Sequence, residues 1–241
     1  MVFLLFFATI SSGPIDRYQR FKEDWDHKRS NSEFLQDMDG GIHRVMTGFL
    51  YKFILATLIR QYWMDPAAAG VGFWPNVSYM YAYTLYLFFD FAGYSAFAVG
   101  FCYFFGIHTP ENFNRPFLSR NIRDFWNRWH ISLSTWFRDH VYSRFVMTAM
   151  KEHWFKNKYV VSYLGYILSM GLMGIWHGTS WNYLIYGIYH GILLILNDVI
   201  DRLNKKYKWL PKNNKAWNVF SILITLQFVC FGLLIFSGRL G

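Results

Sequence analysis

"MGLMGIWHGTSWNYLIYGIYHGILL", residues 170–194, sets two imidazoles, His177 and His190, in a run of Trp, Tyr, Leu, Ile and Gly that carries no formal charge. Water is scarce in such a run, and an ionisable side chain kept there marks a functional position by default. The run is also interrupted. "WHGTSWN" (176–182) joins two apolar stretches through a very short link, so His177 falls where the backbone leaves one helix and enters the next. Irregular backbone at membrane depth is tolerated only where protein or a water-filled cavity satisfies it, which favours a cavity over lipid around His177.

The rest of the chain supports a membrane setting. Of 241 residues, 54% are hydrophobic and 22% aromatic, but only 16% are charged, a balance too apolar for an ordinary soluble domain. The apolar residues come in runs near bilayer length rather than in short amphipathic pieces, which argues against a soluble protein with a large core. Spans are predicted over 46–60, 78–107, 159–176, 182–197 and 217–237; the second has Asp90 as its only formal charge. Lysines and arginines alternate between the connecting segments: six in 13–45, none in 61–77, nine in 108–158, none in 177–181 and six in 198–216. Positive charge stays on the cytoplasmic side during insertion, so the three basic segments define that face. The net charge of +9 therefore answers to topology and to an anionic lipid bilayer, and no nucleic-acid partner is expected.

Cys102 and Cys230 read as small buried apolar residues, with no disulfide framework and no metal-ligand spacing. The opening "MVFLLFFATISSGPIDRYQRF" is too short to span and lacks the basic start of a signal peptide, so the expectation is a chain that begins partway through a larger membrane protein.

The basic segment 108–158 is too long for a simple connector. One amphipathic helix is predicted over 121–146: on a helical wheel Phe125, Trp126, Trp129, Leu133, Trp136 and Phe137 share an arc, opposite Asp124, Arg128, Thr135, Arg138 and Asp139. Such a helix lies along the membrane surface or wedges into it. His130 falls at the edge of the apolar arc, where it either serves chemistry or caps a neighbouring helix.

Desolvation favours a neutral His177, able to accept a proton from a hydroxyl during acyl transfer; a histidine that only ties two helix ends together is the other reading. No Gly-x-Ser-x-Gly elbow and no phosphate-cradling GxxxxGK[ST] occurs, and the thirteen-residue separation of His177 and His190 is not that of a helical zinc pair. Asp90 is either a proton relay or a hydrogen-bonding partner of a neighbouring helix, and His190 either lines the cavity of His177 or bonds to an adjacent helix. A transporter or proton channel would also place Asp90, His177 and His190 in a membrane cavity. His27, His43, His108 and His153 lie in polar connectors and are expected to be solvated.

"DFWNRWHISLSTWFRDHVYSRFV", "GLMGIWHGTSWNYLIYGIYHG", "FFDFAGYSAFAVG" and "ATISSGPIDRYQRF" together closely resemble the membrane-bound O-acyltransferase (MBOAT) family. The match is best to its DltB-like branch, which transfers D-alanine toward lipoteichoic acid. The resemblance implies an all-α, multi-pass transmembrane MBOAT-type core with surface-lying amphipathic helices, making 1–241 part of a larger membrane domain with 108–158 as its cytoplasmic segment. It implies His177 and His130 as catalytic residues, and Trp129, Trp176 and Asn182, beside them in the motifs, as substrate-binding residues. No cofactor is bound by the chain; the donor is the phosphopantetheine thioester of a DltC-like D-alanyl carrier protein. The other expected partners are a DltD-like membrane protein, the lipoteichoic acid acceptor and the bilayer. Topology puts His130 near the cytoplasmic side and His177 toward the exterior, with a tunnel expected between them.

The sequence departs from the family's pattern at two places. The family has further spans before "ATISSGP", so the chain looks truncated at its N-terminus, and it often has an aromatic at the position of His140, which reads as an interfacial replacement. The alginate O-acetyltransferase branch shares the RWH and WHG segments, but continues with Gly-Gly-Asn-Arg where this chain has "SRFVMTAMKEH".

Overall fold

The structure, a computed structural model, describes residues 2–9, 13–211 and 214–240. Positions 10–12 of the "ATISSGP" segment and 212–213 of the last connector lie outside the described residues. All regular structure among the described residues is helical, and five helices are long and apolar enough to cross a membrane. The chain divides into two compact units, Met1–Asn114 with Ile131–Leu133, and Arg115–His130 with Ser134–Gly241. Cys102 and Cys230 are both buried, as expected.

The first unit holds α1 (Tyr18–Asp26), α2 (Asn31–Ala69) and α3 (Phe73–Phe104). The sequence places the first span at 46–60, whereas α2 begins at Asn31 and continues to Ala69. Its start is fixed by a capping box: Glu33 N–H donates to Ser30 Oγ at 3.3 Å, and Ser30 N–H donates to the Glu33 carboxylate at 2.8 Å. It passes Pro66 because the turn before it, Arg60–Met64, is a wider π turn. Proline has no N–H and its ring crowds the carbonyl four residues back, so an ordinary α turn would break there.

Glycines bring α2 and α3 together. A Cβ added at Gly41 would sit 3.0 Å from the Gly100 carbonyl oxygen, and one at Gly48 would sit 2.8 Å from that of Gly93. Without a hydrophobic driving force in lipid, such close approach is what makes helix contact favourable. Between these contacts and the outer end, Lys52 Nζ pairs with Asp90 Oδ1. Asp90 is therefore bonded to a neighbouring helix, the second of its two readings. His108 is exposed, as expected, and its Nε2 also lies 2.7 Å from Asp37 Oδ1, in a cluster where Arg29 Nε lies 3.1 Å from the other oxygen. His27, His43 and His153 are exposed as expected.

In the second unit, the helix predicted over 121–146 is broken. It forms α4 (Ile122–Trp126), a turn through His130, α5 (Ile131–Phe137), a π turn at Arg138–Tyr142 and α6 (Ser143–Lys151). The break is His130 itself, at φ 45° and ψ 53°. That left-handed conformation ends any right-handed helix, and wheel geometry cannot anticipate it. The apolar arc is buried nonetheless: Phe125, Trp126, Trp129, Leu133 and Phe137 are all inside, and only Trp136 is exposed. Phe125 and Trp126 pack on His190 of a spanning helix, so this stretch wedges in.

The remaining helices are α7 (Lys158–His177), α8 (Trp181–Tyr207) and α9 (Lys215–Phe236). Only Gly178, Thr179 and Ser180 separate α7 from α8, in agreement with the expected short link. A Cβ on Gly174 would lie 2.3 Å from the Tyr183 carbonyl oxygen, and one on Gly187 2.3 Å from that of Met170. We expect Gly187→Val to destabilise the protein by about 1–3 kcal/mol through overpacking, read as a lower thermal midpoint in detergent. A matched change at lipid-facing Ile188, 37% exposed, should leave the midpoint nearly unchanged.

Candidate active site

His177 is the last residue of α7, where the helix stops at Gly178. Aromatic rings surround its imidazole: Phe236 meets it edge-on at 5.0 Å and 90°, Trp176 lies at 4.9 Å, and Tyr183 and Tyr186 at 6.4 and 6.5 Å. The ring makes no hydrogen bond among the described residues, and the side chain is half-buried. His177 therefore joins no helix ends by a hydrogen bond among the described residues. Asn182 Nδ2 donates to the Phe236 carbonyl at 2.8 Å and so links the start of α8 to the end of α9.

His130 is positioned from the other side. The Trp129 and Arg128 N–H groups both donate to the Phe125 carbonyl, closing α4, and Ser134 N–H donates to the His130 carbonyl to open α5. Trp129 stacks on Phe125 at 5.5 Å and 23° and is buried, so it serves as a floor beneath the turn. Farther out, Arg123 anchors α4 to α8 through Asp198 at 3.4 Å and Asp201 at 3.5 Å. Holding a non-glycine residue in the left-handed region costs on the order of 1–3 kcal/mol, and such strain persists where the surroundings over-determine it, often at functional sites.

The turn sends the His130 ring to the end of α7, 6.5 Å from the Trp176 ring. The sequence puts the two histidines toward opposite faces with a tunnel between them; the structure gathers both around Trp176. The charge count assigns a whole segment to one side and cannot see that part of it re-enters. Burial, and secondly the proximity of His177, push the His130 imidazole down to about 3 from an ordinary 6.5, so it is neutral at physiological pH.

A cavity of about 300 Å³ has a lining that includes Trp126, Ser134, Tyr142, Ser169 and Met173; neither His130 nor His177 is in its wall. Met173 is four residues before His177 and thus on the same face of α7. Arg123 and Arg138 also line it, giving a mostly apolar passage with basic groups in its wall.

Trp176 is 58% exposed and lies near both histidine rings, whereas Trp129 is a core residue. Asn182 commits one N–H of its amide to the Phe236 carbonyl, which leaves its second N–H and its oxygen for a ligand. Asn182→Ala should cost about 1 kcal/mol of stability, seen in the thermal midpoint; a rise in KM beyond that would mark direct contact. His140 is exposed and rests against Trp136, in keeping with an interfacial role.

His190 meets neither of its expectations. It is fully buried, has no hydrogen bond at either ring nitrogen among the described residues, and does not line the cavity. Packing holds it: Phe125 stacks at 6.4 Å and 17°, and the edges of Trp126, Tyr186 and Tyr189 close round it. No group in the described residues could collect a metal ion.

The sequence comparisons identify the family of this all-α membrane protein. Residues 1–237 match the membrane-bound O-acyltransferase family, and the chain belongs to it. It is a multi-pass membrane protein. It is 52% identical to a teichoic acid D-alanyltransferase of Bacillus subtilis (strain 168) and 47% identical to one of Lacticaseibacillus rhamnosus, in each case over 99% of this chain and 61% of the relative. It is 34% identical to a probable alginate O-acetylase AlgI of Azotobacter vinelandii, over 86% of this chain and 41% of that protein. The chain thus spans about three-fifths of the length of its D-alanyltransferase relatives, 61%.

Proposed function

We propose that this chain carries the reacting residues of a membrane D-alanyltransferase. It moves D-alanine from the phosphopantetheine thioester of a DltC-like carrier protein to a hydroxyl of teichoic acid, in company with a DltD-like membrane partner. The observation that carries this reading is the His177 imidazole, half-buried and without a hydrogen bond among the described residues, with the His130 ring close to the same Trp176 that it touches.

His177 takes the proton of the acceptor hydroxyl as its oxygen attacks the thioester carbonyl carbon. The new C–O bond forms while the carbonyl electrons move onto oxygen. A neutral His130 presents one ring N–H to that oxygen, in a setting dry enough to make the bond count. Collapse restores the carbonyl and breaks the C–S bond, and the leaving thiolate takes the proton from His177. The products are a D-alanyl ester and a free thiol. The cavity lined by Trp126, Ser134 and Met173 supplies room for the extended thioester arm, and the basic segment from Arg115 to Lys158 suits an acidic carrier.

The acyl group is tested by reconstituting the chain in proteoliposomes with carrier protein bearing D-alanyl or acetyl thioester, and following thiol release and ester formation. Consumption of the D-alanyl thioester is expected. Consumption of the acetyl thioester alone would transfer the reading to polysaccharide O-acetylation, the chemistry named for the alginate relatives.

A further inference from the structure

The second unit has another groove, of about 440 Å³, between the C-terminal half of α8 and the N-terminal half of α9. We propose that it holds one anionic phospholipid of the cytoplasmic leaflet, with its phosphate at Arg120 and an acyl tail between the two helices. This is separate from the acyl-transfer site and does not depend on how that site works.

The groove runs from Asn204 to Leu193 along α8 and from Asn218 to Phe228 along α9. At 1.5 Å per residue, both paths are about 15 Å long, roughly half of a 30 Å hydrocarbon core and so the depth of one leaflet. Its wall is largely apolar, with Leu193, Leu196, Ile224 and Phe228 toward the deep end, and Asn204 and Asn218 stand at the end nearest the connector. Arg120 lines it as its one cationic side chain among the described residues.

The charge of the lining fits an anion. Asp201, the only acidic residue in the lining, is already bonded to Asn197 Nδ2 at 2.9 Å and to Arg123 at 3.5 Å. The Arg120 side chain is exposed and makes no hydrogen bond or ion pair among the described residues; its backbone N–H alone is engaged, by Asp124. Lys205, Lys206, Lys208 and Lys215 flank the same connector, which the charge pattern puts on the cytoplasmic face where anionic lipid attracts basic residues. A guanidinium presents a planar fork of donors that suits a phosphate.

The test is lipid retention by the full chain in detergent, followed by native mass spectrometry after incubation with phosphatidylglycerol or phosphatidylcholine. Wild type should retain one phosphatidylglycerol per chain in preference to phosphatidylcholine. Arg120→Gln should weaken that retention about tenfold and erase the preference. Ile224→Trp, which fills the deep end, should abolish retention of both, with helix content and thermal midpoint checked alongside. Equal retention of the two lipids by wild type, or undiminished phosphatidylglycerol binding in Arg120→Gln, would overturn the proposal. Binding that survives Ile224→Trp in a folded protein would overturn it too.

Discussion

His177→Ala is expected to lower D-alanyl ester formation by about 10²- to 10⁴-fold, the usual contribution of a positioned general base. The loss should appear in kcat with KM little changed, because the imidazole acts on the proton in flight and does not hold the ground state. Stability should fall only modestly. No hydrogen bond is lost, and the edge-on contact with Phe236 at 5.0 Å is an aromatic pair worth about 0.5–1.5 kcal/mol beyond its area. His177→Phe sharpens the test by keeping a ring in the aromatic box while removing the base. It should hold the thermal midpoint near wild type and be as inactive as the alanine variant. Unchanged thioester consumption in either folded variant would take His177 out of the chemistry.

His130→Asn separates a chemical role from a backbone role. Asparagine tolerates the left-handed region better than most residues, so the turn at φ 45° should survive, whereas Ala or Val would add strain. Losing the ring N–H from the thioester oxygen should cost about 10²- to 10³-fold in kcat, the range for one lost oxyanion donor. The same variant makes a pH prediction. Burial holds the folded His130 near 3, against 6.5 for an ordinary histidine, so the unfolded chain takes up this proton first as pH falls. The stability it contributes is complete above about 6.5 and drains away between 6.5 and 3. Thermal midpoints measured across that window should fall less steeply in His130→Asn than in wild type. An identical slope would mean that the ring is not held neutral by its surroundings.

Much of this was open to a reader of the sequence, because burial in lipid writes itself as run length. The five spans, the three-residue link after His177 and the alternation of basic segments all follow from that. The start of α2 was also legible in principle, since Ser30 and Glu33 stand at capping-box spacing. Other features were not legible because they depend on what the chain meets after folding. His130 breaks a helix that its wheel pattern favours, as buried Phe125 and Trp129 on one side and α5 on the other dictate the turn. The pairing of Asp90 with Lys52 joins residues 38 positions apart. Close approach of Gly174 and Gly187 to opposing carbonyls, and the enclosure of His190 by four rings without a hydrogen bond, are tertiary facts with no local signature.

The three-residue link between α7 and α8 also governs when the site can exist. It contains Gly178, Thr179 and Ser180 and no charge, so a growing chain can pass it through the membrane without the roughly 2.5–3.5 kcal/mol that one centrally placed Asp, Lys or Arg would cost. The helical hairpin that bears His177 can therefore enter as one piece once residue 207 has left the ribosome. Phe236, which meets the imidazole edge-on and accepts the clasp from Asn182, is made about thirty residues later. His177 thus reaches the bilayer before its aromatic wall is complete, and synthesis of α9 is what turns an open hairpin into an enclosed pocket.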